Sequence, residues 1–352
     1  KAPDGKVMPG ATIIVTHKPS GTLYQTISRK NGGFALNGLR VGGPYTITVQ
    51  YVGFKPYTAE GFRIALGDPY DITVTMGETD VMQLGDVEVK TAKNQRKGAL
   101  EKSGASTVID SRQLATMPSF NRSITDFTRL TPQAGSGNSF AGRSGNYNNL
   151  KVDGANLNNN FGLSTDPLPG GGAQPISLDA FDEVSVNIAP VDVRQSGFTG
   201  AGINAITKSG TNEFHGTAYV FYRNQSFNGR KAGSVELDPA VASSKHIVGG
   251  SLGGPIIKNK LFFFVNAEYE GNSGSRITNF VATGGKSTGN KSAAPLDSLA
   301  RLAQFLKDTY HYDPGAYDNY PSASSHNYKY IAKIDWNINR HHKLTAKYNN
   351  FV

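Results

Sequence analysis

The last third of the chain contains long segments in which apolar and polar residues alternate. In an extended strand such alternation places the two classes on opposite faces. In the segment 328–338, one face carries Tyr328, Tyr330, Ala332, Ile334, Trp336 and Ile338, and the other carries Lys329, Lys333, Asp335 and Asn337. Segments of about ten residues with aromatic residues near their ends are typical of transmembrane β-barrels. A soluble antiparallel sheet alternates in the same way, so this pattern alone leaves both interpretations open.

Five such strands are predicted after residue 210, and their connections alternate between short and long. The predicted strands are 212–223, 247–257, 261–270, 328–338 and 343–352. Tight turns at 258–260 and 339–341 contrast with two long loops, the second of which contains an amphipathic helix candidate at 296–310. Short turns at one end and long loops at the other favour the barrel interpretation.

Shorter elements are predicted in the first 210 residues. Residues 1–77 are expected to form a β-sandwich from strands at 11–16, 23–28, 34–36, 45–51 and 70–75. Residues 78–104 form a linker. Residues 105–210 form an α+β domain with strands at 106–109, 182–189 and 202–207, a short helix capped by Ser111, a helix at 123–130, and a Gly/Asn-rich stretch from 135 to 172.

Composition excludes several classes of protein. The 352 residues carry a formal net charge of +9, 41 glycines and no cysteine. Without cysteine there is no disulfide scaffold, thiolate metal site or cysteine nucleophile. No apolar run is long enough for a membrane-spanning helix.

No motif in the sequence predicts an enzyme, a cofactor or a metal site. A GxGxxA run begins at Gly200, but a strand and a turn follow it where a dinucleotide site needs a helix. The adjacent His341 and His342 have no further ligand at metal-site spacing. The lysines and arginines are dispersed along predicted strands, which argues against nucleic-acid binding.

Specific runs resemble known families. Residues 9–12, 31–34 and 43–49 resemble the carboxypeptidase regulatory-like domain, although the usual first strand before Asp4-Gly5 is missing. The run 192–212 resembles the end of the plug in Oar-like TonB-dependent outer-membrane receptors, and 249–264 resembles that family's second and third barrel strands. Other matching plug segments are Gly142-Arg143-Ser144-Gly145, Val152-Asp153-Gly154-Ala155 and 175–180.

This resemblance implies a mainly β protein with a defined domain order. A β-sandwich (1–77) and a linker (78–104) precede an α+β plug (105–210) and the first five strands (211–352) of a transmembrane antiparallel barrel with 22 strands in the full protein. Five strands cannot close a barrel, so the complete protein is expected to have roughly 830 residues at the spacing of these strands.

The resemblance also implies site residues. The TonB box is expected at Asp86, Val87, Glu88, Val89, Lys90 and Thr91, a short alternating strand suited to edge addition. Arg143 and Arg194 resemble plug arginines that pair with the barrel wall, and strand parity makes Glu268 their expected partner. Ligand contacts are expected on the long loop 272–326 and at Asn156, Asn158, Asn159, Asn160 and Phe161.

The function implied is import of a ligand through a plugged outer-membrane barrel, energised by TonB. Residues 1–91 would lie in the periplasm and the long loops outside the cell, with membrane lipid and a possible surface lipoprotein as further partners. The ligand stays open among peptides, glycans and siderophores. The alternative is a structural or accessory subunit of an outer-membrane assembly, secretion or adhesion complex, which would keep the fold without transporting.

Overall fold

The computed structural model describes most of the chain as two compact units. The described residues are 1–67, 70–77, 89–91, 105–119, 121–136, 138–158, 174–188, 195–236, 243–274, 280–282, 291–315, 323–339 and 342–352. The first unit comprises 1–217, 251–267 and 329–351, and the second comprises 218–250, 268–328 and residue 352.

The N-terminal sheet contains five described strands in the order β2-β1-β3-β4-β5. Their bounds are β1 Thr12–His17, β2 Thr22–Ile27, β3 Gly42–Gln50, β4 Tyr57–Ile64 and β5 Val89–Thr91, with a 3-10 turn at Lys18–Ser20. The predicted alternation of β3 is confirmed, because Tyr45, Ile47 and Val49 are all buried. They pack in one core with Met8 and Met76, which come from segments outside the regular strands.

Two predicted strands of this region are absent and one was missed. Residues 34–36 and 70–75 carry no strand, although Phe34 and Leu36 still pack against the core. The missed strand is β4, in which Gly61 adopts a left-handed conformation with φ of +84°. This residue interrupts the period of two, so the buried positions are Ala59 and Phe62 and no simple alternation is visible.

The central sheet has the strand order β6-β9-β10-β7-β8. Its strands are β6 Ala105–Asp110, β7 Asn149–Val152, β8 Ala155–Asn156, β9 Phe181–Ile188 and β10 Gly202–Thr207, with helices α1 Ser111–Thr116 and α2 Ile124–Thr128 and 3-10 turns at Gly145–Tyr147 and Leu178–Ala180. The cap of α1 was predicted wrongly. Asp110 caps this helix, not Ser111, because its carboxylate accepts from the Gln113 amide while the Gln113 side chain accepts from the Asp110 amide.

Five long strands form the C-terminal sheet, as predicted, in the order β11-β14-β15-β18-β19. They are β11 His215–Asn224, β14 Ser243–Ile257, β15 Leu261–Gly274, β18 Ala323–Asn337 and β19 Lys343–Phe351. The loops contribute two small pairs, β12 Lys231–Ala232 with β13 Val235–Glu236 and β16 Phe280–Ala282 with β17 Lys291–Pro295, a 3-10 turn at Gln225–Phe227, and helix α3. The bounds of α3, Leu296–Tyr310, match the prediction. No described helix is long and apolar enough to cross a membrane.

Candidate functional site

The C-terminal sheet buries its polar face and exposes its apolar face. On β18 the side chains of Lys329, Lys333 and Asp335 are 2%, 6% and 4% exposed. Between them Ile334 and Trp336 are 46% and 40% exposed. A soluble sheet would bury the second set instead, because removal of apolar surface from water drives its folding. This inverted arrangement is the one that a transmembrane barrel strand requires.

Strand β15 repeats this pattern, with Glu268 on its buried face. Asn266, Glu268 and Glu270 are each 4% exposed, and Val265 is 39% exposed. The Glu268 carboxylate accepts a hydrogen bond of 2.7 Å from the Tyr219 hydroxyl. Glu268 is therefore one of a row of buried acids on the polar face of the sheet.

The central region contacts the polar face of the C-terminal sheet, which we call the wall. The contact is made by four residues, which we call the Asp153 network: Asp153, Thr207, Lys333 and Lys347. Asp153 occupies the turn after β7 with φ of +50°, and its side chain is only 18% exposed although the turn's backbone faces solvent. Its carboxylate accepts from the Thr207 amide at 2.9 Å and from the Thr207 hydroxyl at 2.6 Å. The two lysines come from adjacent positions on β18 and β19.

Both lysines point at the same groups of the central region. Lys347 Nζ lies 3.0 Å from Asp153 Oδ2, and Lys333 Nζ lies 3.9 Å from Asp153 Oδ1. Lys333 Nζ also donates to the Thr207 carbonyl at 3.1 Å. Burial alone would raise the pKa of Asp153, but the charge of Lys333 and the hydrogen bonds from Thr207 and Lys347 lower it overall. Asp153 therefore stays ionised between two wall lysines.

A second carboxylate, Asp179, joins the central region to the beginning of the C-terminal sheet. It lies in the turn Leu178–Ala180, and Lys208 Nζ is 3.3 Å from its Oδ1. The Thr217 hydroxyl donates to its Oδ2 at 2.6 Å and lies 2.6 Å from the Ser251 hydroxyl. Burial raises the pKa of Asp179, and the hydrogen bond from Thr217 and the charge of Lys208 more than compensate. Its pKa is lowered overall, which favours the ionised form of this link.

Apolar side chains complete the contact. Phe264 on β15 and Ile331 on β18 point to the polar side of the sheet and are buried at 4% and 3% exposure. Both belong to the hydrophobic cluster built mainly by the central region, which includes Phe140 and Leu150. The wall and the central region therefore share one core as well as the charged contacts.

The predicted arginine contacts are not the ones that the described residues reveal. Arg143 has an exposed side chain and takes part in no ion pair within the described part of the chain, while its backbone bridges to Phe140. Arg194 lies outside the described residues. The ion pairs seen between central region and wall have the opposite polarity, with the acid Asp153 on the central region and the lysines on the wall. The pairing of Arg194 with Glu268 stays a prediction.

The Asp153 network had a signal in the sequence. Lys333 and Lys347 both fall on the polar face of their predicted strands, and they are direct partners in the β18–β19 register. Two facing ammonium groups destabilise a sheet unless a carboxylate lies between them. The alternation therefore indicates an acidic residue between the two lysines, and Asp153 in the Val152-Asp153-Gly154 segment is that residue.

Part of the segment that was predicted to contact ligand forms hydrogen bonds within the central region. Asn158 accepts from the Leu150 amide at 2.7 Å and donates to Asn149 Oδ1 at 2.7 Å. Asn156 is exposed at the end of β8. Asn159, Asn160 and Phe161 lie outside the described residues.

The predicted TonB box is described only in its second half. Asp86, Val87 and Glu88 lie outside the described residues, whereas Val89, Lys90 and Thr91 form β5. This short strand pairs in parallel with residues 58–60 of β4. The segment thus takes the extended form that edge addition requires. Elsewhere, no group of His, Asp or Glu within the described part could hold a metal ion.

Two family models match the chain. The carboxypeptidase regulatory-like domain matches residues 1–77, and the outer membrane beta barrel domain matches residues 206–351. The TonB-dependent transporter Oar of Myxococcus xanthus is 28% identical over 287 residues, which is 73% of this chain and 25% of Oar. The probable TonB-dependent siderophore receptor PirA of Acinetobacter baumannii is 27% identical over 60% of this chain and 28% of that protein.

Solved structures of outer-membrane receptors are also similar. The siderophore receptor PirA from Acinetobacter baumannii matches with a TM-score of 0.42 and 18% identity, covering 72% of this chain and 32% of the receptor. The outer membrane transporter YddB from Escherichia coli matches with a TM-score of 0.43 and 17% identity, covering 70% of this chain and 33% of YddB. The chain spans about a quarter of the length of the curated relatives that it matches.

The inverted sheet and the family matches identify an outer-membrane β-barrel protein, mainly β in structure, that is similar to TonB-dependent receptors. The chain is a homologue of the transporter Oar, and a carboxypeptidase regulatory-like domain precedes its outer-membrane barrel domain. These relatives are transporters and receptors, not enzymes.

Proposed function

We propose that the protein imports a ligand across the outer membrane through a plugged β-barrel, with energy supplied by TonB. The central region, residues 105–210, is the plug, and the C-terminal sheet is part of the barrel wall. The observation that carries this proposal is the Asp153 network, because a transporter must hold its plug against the wall by contacts that can be broken and remade. Charged and hydrogen-bonded contacts meet this need, since water can replace each of them.

TonB is the proposed energy-coupling partner, and Asp86–Thr91 is its proposed binding segment. A short extended strand between two folded domains can add to the edge of another protein's sheet, and tension applied there reaches the plug directly. Residues 1–91 would then lie in the periplasm. The long loops of the sheet would face the exterior, where ligand would contact 272–326 and Asn156.

A siderophore is the first ligand class to test, because the relative PirA is described as a siderophore receptor. Peptides and glycans follow as further classes. A lipoprotein lid over the extracellular mouth is a further proposed partner, and its test is co-purification from outer membranes.

Deletion of residues 86–91 tests the proposal. We expect the variant to insert normally and to lose uptake of ferric siderophore, because the pull on the plug would be uncoupled. The matched control is deletion of the six linker residues 92–97, which shortens the linker equally and should leave uptake largely intact. Uptake that persists without the box would contradict energised transport and favour the alternative, a structural subunit that keeps the receptor fold.

A further inference from the structure

One arginine of the N-terminal module, residues 1–77, reaches both the plug and the barrel wall. Arg40 Nη2 lies 3.5 Å from Asp335 Oδ2 on β18, and Nη1 donates to the Gly210 carbonyl at 3.4 Å. The guanidinium carbon is 5.6 Å from the centroid of the Phe262 ring on β15, within the range of a cation–π contact. We call Arg40, Gly210, Phe262 and Asp335 the base clamp.

The module holds Arg40 in place for this contact. The Tyr45 hydroxyl donates to the Arg40 carbonyl at 2.6 Å, and the Arg40 amide donates to the Tyr24 hydroxyl at 3.3 Å. Tyr45 is fully buried in the core of the module. The backbone of Arg40 is therefore anchored on both sides, so its long side chain loses less freedom when it binds the wall.

The buried carboxylate of Asp335 is stabilised by the Arg40 guanidinium. Its side chain is only 6% exposed, and the Thr345 hydroxyl donates to its Oδ1 at 2.7 Å. Its Oδ2 is buried without a hydrogen bond, and the Arg40 guanidinium is the cation that faces it. A buried carboxylate without a nearby cation is costly, so loss of Arg40 would destabilise the docked arrangement.

Gly210 is the point where the chain passes from the plug to the barrel. A Cβ at this position would lie 2.4 Å from the Phe263 carbonyl oxygen and 2.7 Å from that of Gly254. Only glycine permits so close an approach of three backbones. Arg40 therefore binds the segment through which the chain connects the plug to the wall.

Further contacts place the module at the short-turn end of the strands. Asn337 Nδ2 donates to Thr22 Oγ1 at 2.9 Å, and the Asn212 amide donates to the Pro19 carbonyl at 2.8 Å. The Lys343 ammonium lies 3.1 Å from the centroid of the Tyr24 ring. Short turns of outer-membrane barrels face the periplasm, so these contacts lie on the periplasmic side.

The docked surface is not continuous. A cavity of about 500 Å³ lies next to the clamp, and its lining includes the ionisable residues His17, Arg63, Asp182 and Lys208. A contact interrupted by a cavity of this size separates more easily than a continuously packed one. The arrangement fits a contact that opens and closes better than one that is permanent.

We propose that the N-terminal module holds the periplasmic base of the pore closed, and we call this role the lock. In this role Arg40 ties the plug-to-barrel link to the wall, and the plug becomes free to move only after the base clamp has opened. This inference rests on the proposed function, because it takes the plug to be the moving part. It assigns to the module the task of keeping the resting pore closed.

Cross-linking tests the docked state without any need for transport. These 352 residues contain no cysteine, so a Thr22→Cys/Asn337→Cys pair introduces the only two thiols among them. The matched control is Leu23→Cys/Asn337→Cys, because Leu23 is 44% exposed and its side chain alternates with that of Thr22 on β2. In intact outer membranes a short bifunctional thiol reagent should link the first pair and not the second. Equal yields from the two pairs would overturn the proposal.

Leakage tests the lock itself. The protein purified from outer membranes is placed in liposomes that hold a polar dye, and Arg40→Ala is compared with Arg29→Ala, an exposed arginine of the same module. We expect Arg40→Ala to leak faster and to reduce the Thr22–Asn337 cross-link by roughly tenfold, the effect of one lost charge-assisted hydrogen bond. Arg29→Ala should match the unmodified protein.

Tyr45→Phe is the second variant, because it removes the hydroxyl that anchors Arg40 while it keeps the buried ring. We expect it to leak in the same direction as Arg40→Ala, by a smaller factor. If both variants assemble and leak no more than Arg29→Ala, the lock is disproved. Since neither readout involves uptake, this result stands apart from the outcome of the TonB box deletion.

Discussion

The carboxylate of Asp153, in a turn of the central region, lies 3.0 Å from the ammonium of Lys347, on strand β19. The two residues are 194 positions apart in the sequence. Lys333 approaches the same carboxylate at 3.9 Å from the neighbouring strand β18. A single acid of the central region thus bridges two strands of the C-terminal sheet.

Asp153→Asn is predicted to loosen the plug. The amide keeps the shape of the side chain but leaves the charges of Lys333 and Lys347 facing each other, at a cost of about 2 kcal/mol in plug stability. The measurement is the temperature at which a protease begins to cut the plug in assembled protein.

Asp4→Asn is the matched control, because Asp4 pairs with Lys6 at 2.8 Å but both side chains are at least half exposed. An exposed pair contributes little, so this variant should behave like the unmodified protein. An equal shift in both variants would mean that the Asp153 network does not hold the plug.

Gly210→Ala is predicted to prevent correct assembly at the junction of plug and barrel. Its methyl group would meet two backbone carbonyl oxygens at 2.4 and 2.7 Å, and backbone cannot move aside as a flexible side chain can. We expect a cost of about 3 kcal/mol or more and a sharp fall in the amount of heat-resistant, folded barrel on gels. Gly229→Ala is the control, since a Cβ at Gly229 would have no neighbour within 4 Å.

Ile334→Lys is predicted to impair insertion into the membrane. Ile334 is 46% exposed on the apolar face of β18, and a lysine on the lipid face of a barrel costs roughly 2–4 kcal/mol near the middle of the bilayer. Ile334→Leu keeps the apolar character and should insert normally. Normal folding of Ile334→Lys into lipid vesicles would argue against the membrane-facing assignment of this face.

Acid is predicted to destabilise the N-terminal module through His17. Burial, reinforced by the charges of Arg40 and Arg63, lowers the pKa of His17 to about 4, against an ordinary value of 6.5. Between these two values the unfolded state binds a proton that the folded state does not, so stability falls as the pH is lowered through this window. The loss is at most about 3 kcal/mol at pH 4.

Urea unfolding of the intact protein at several pH values, followed by a probe in the N-terminal module, measures this effect. His17→Gln should reduce the dependence of the unfolding free energy on pH between pH 6.5 and 4, because it removes the titrating group. His342→Gln, at an exposed turn of the C-terminal sheet, should leave this dependence unchanged. A steep acid loss that survives in His17→Gln would assign the effect to other groups.

Regular alternation made the long strands predictable. On β18 the sequence separates lysines from aromatic residues without interruption, and the structure buries one set and exposes the other as expected. Strand β4 escaped prediction because Gly61, at φ of +84°, shifts its buried positions from a spacing of two to a spacing of three. A period of two is readable only where the backbone is free of bulges.

The candidate site was predictable in part. Strand parity placed Lys333 and Lys347 on the polar face of their strands, and both contact Asp153. It gave no information about which plug residue meets each of them, because Asp153 lies in a turn whose position depends on the packing of distant strands. The arginine partners were inferred from resemblance, whereas the described ion pairs follow from where the chain places its turns.

The polar inner face of the wall has a consequence for the displaced state of the plug. Lys329, Lys333 and Asp335 are buried only because other parts of the protein cover them. If the plug is displaced as proposed, water can hydrate the same ammonium and carboxylate groups, and apolar side chains such as Phe264 and Ile331 also become exposed to water. The proposed open state therefore needs no refolding of the strands.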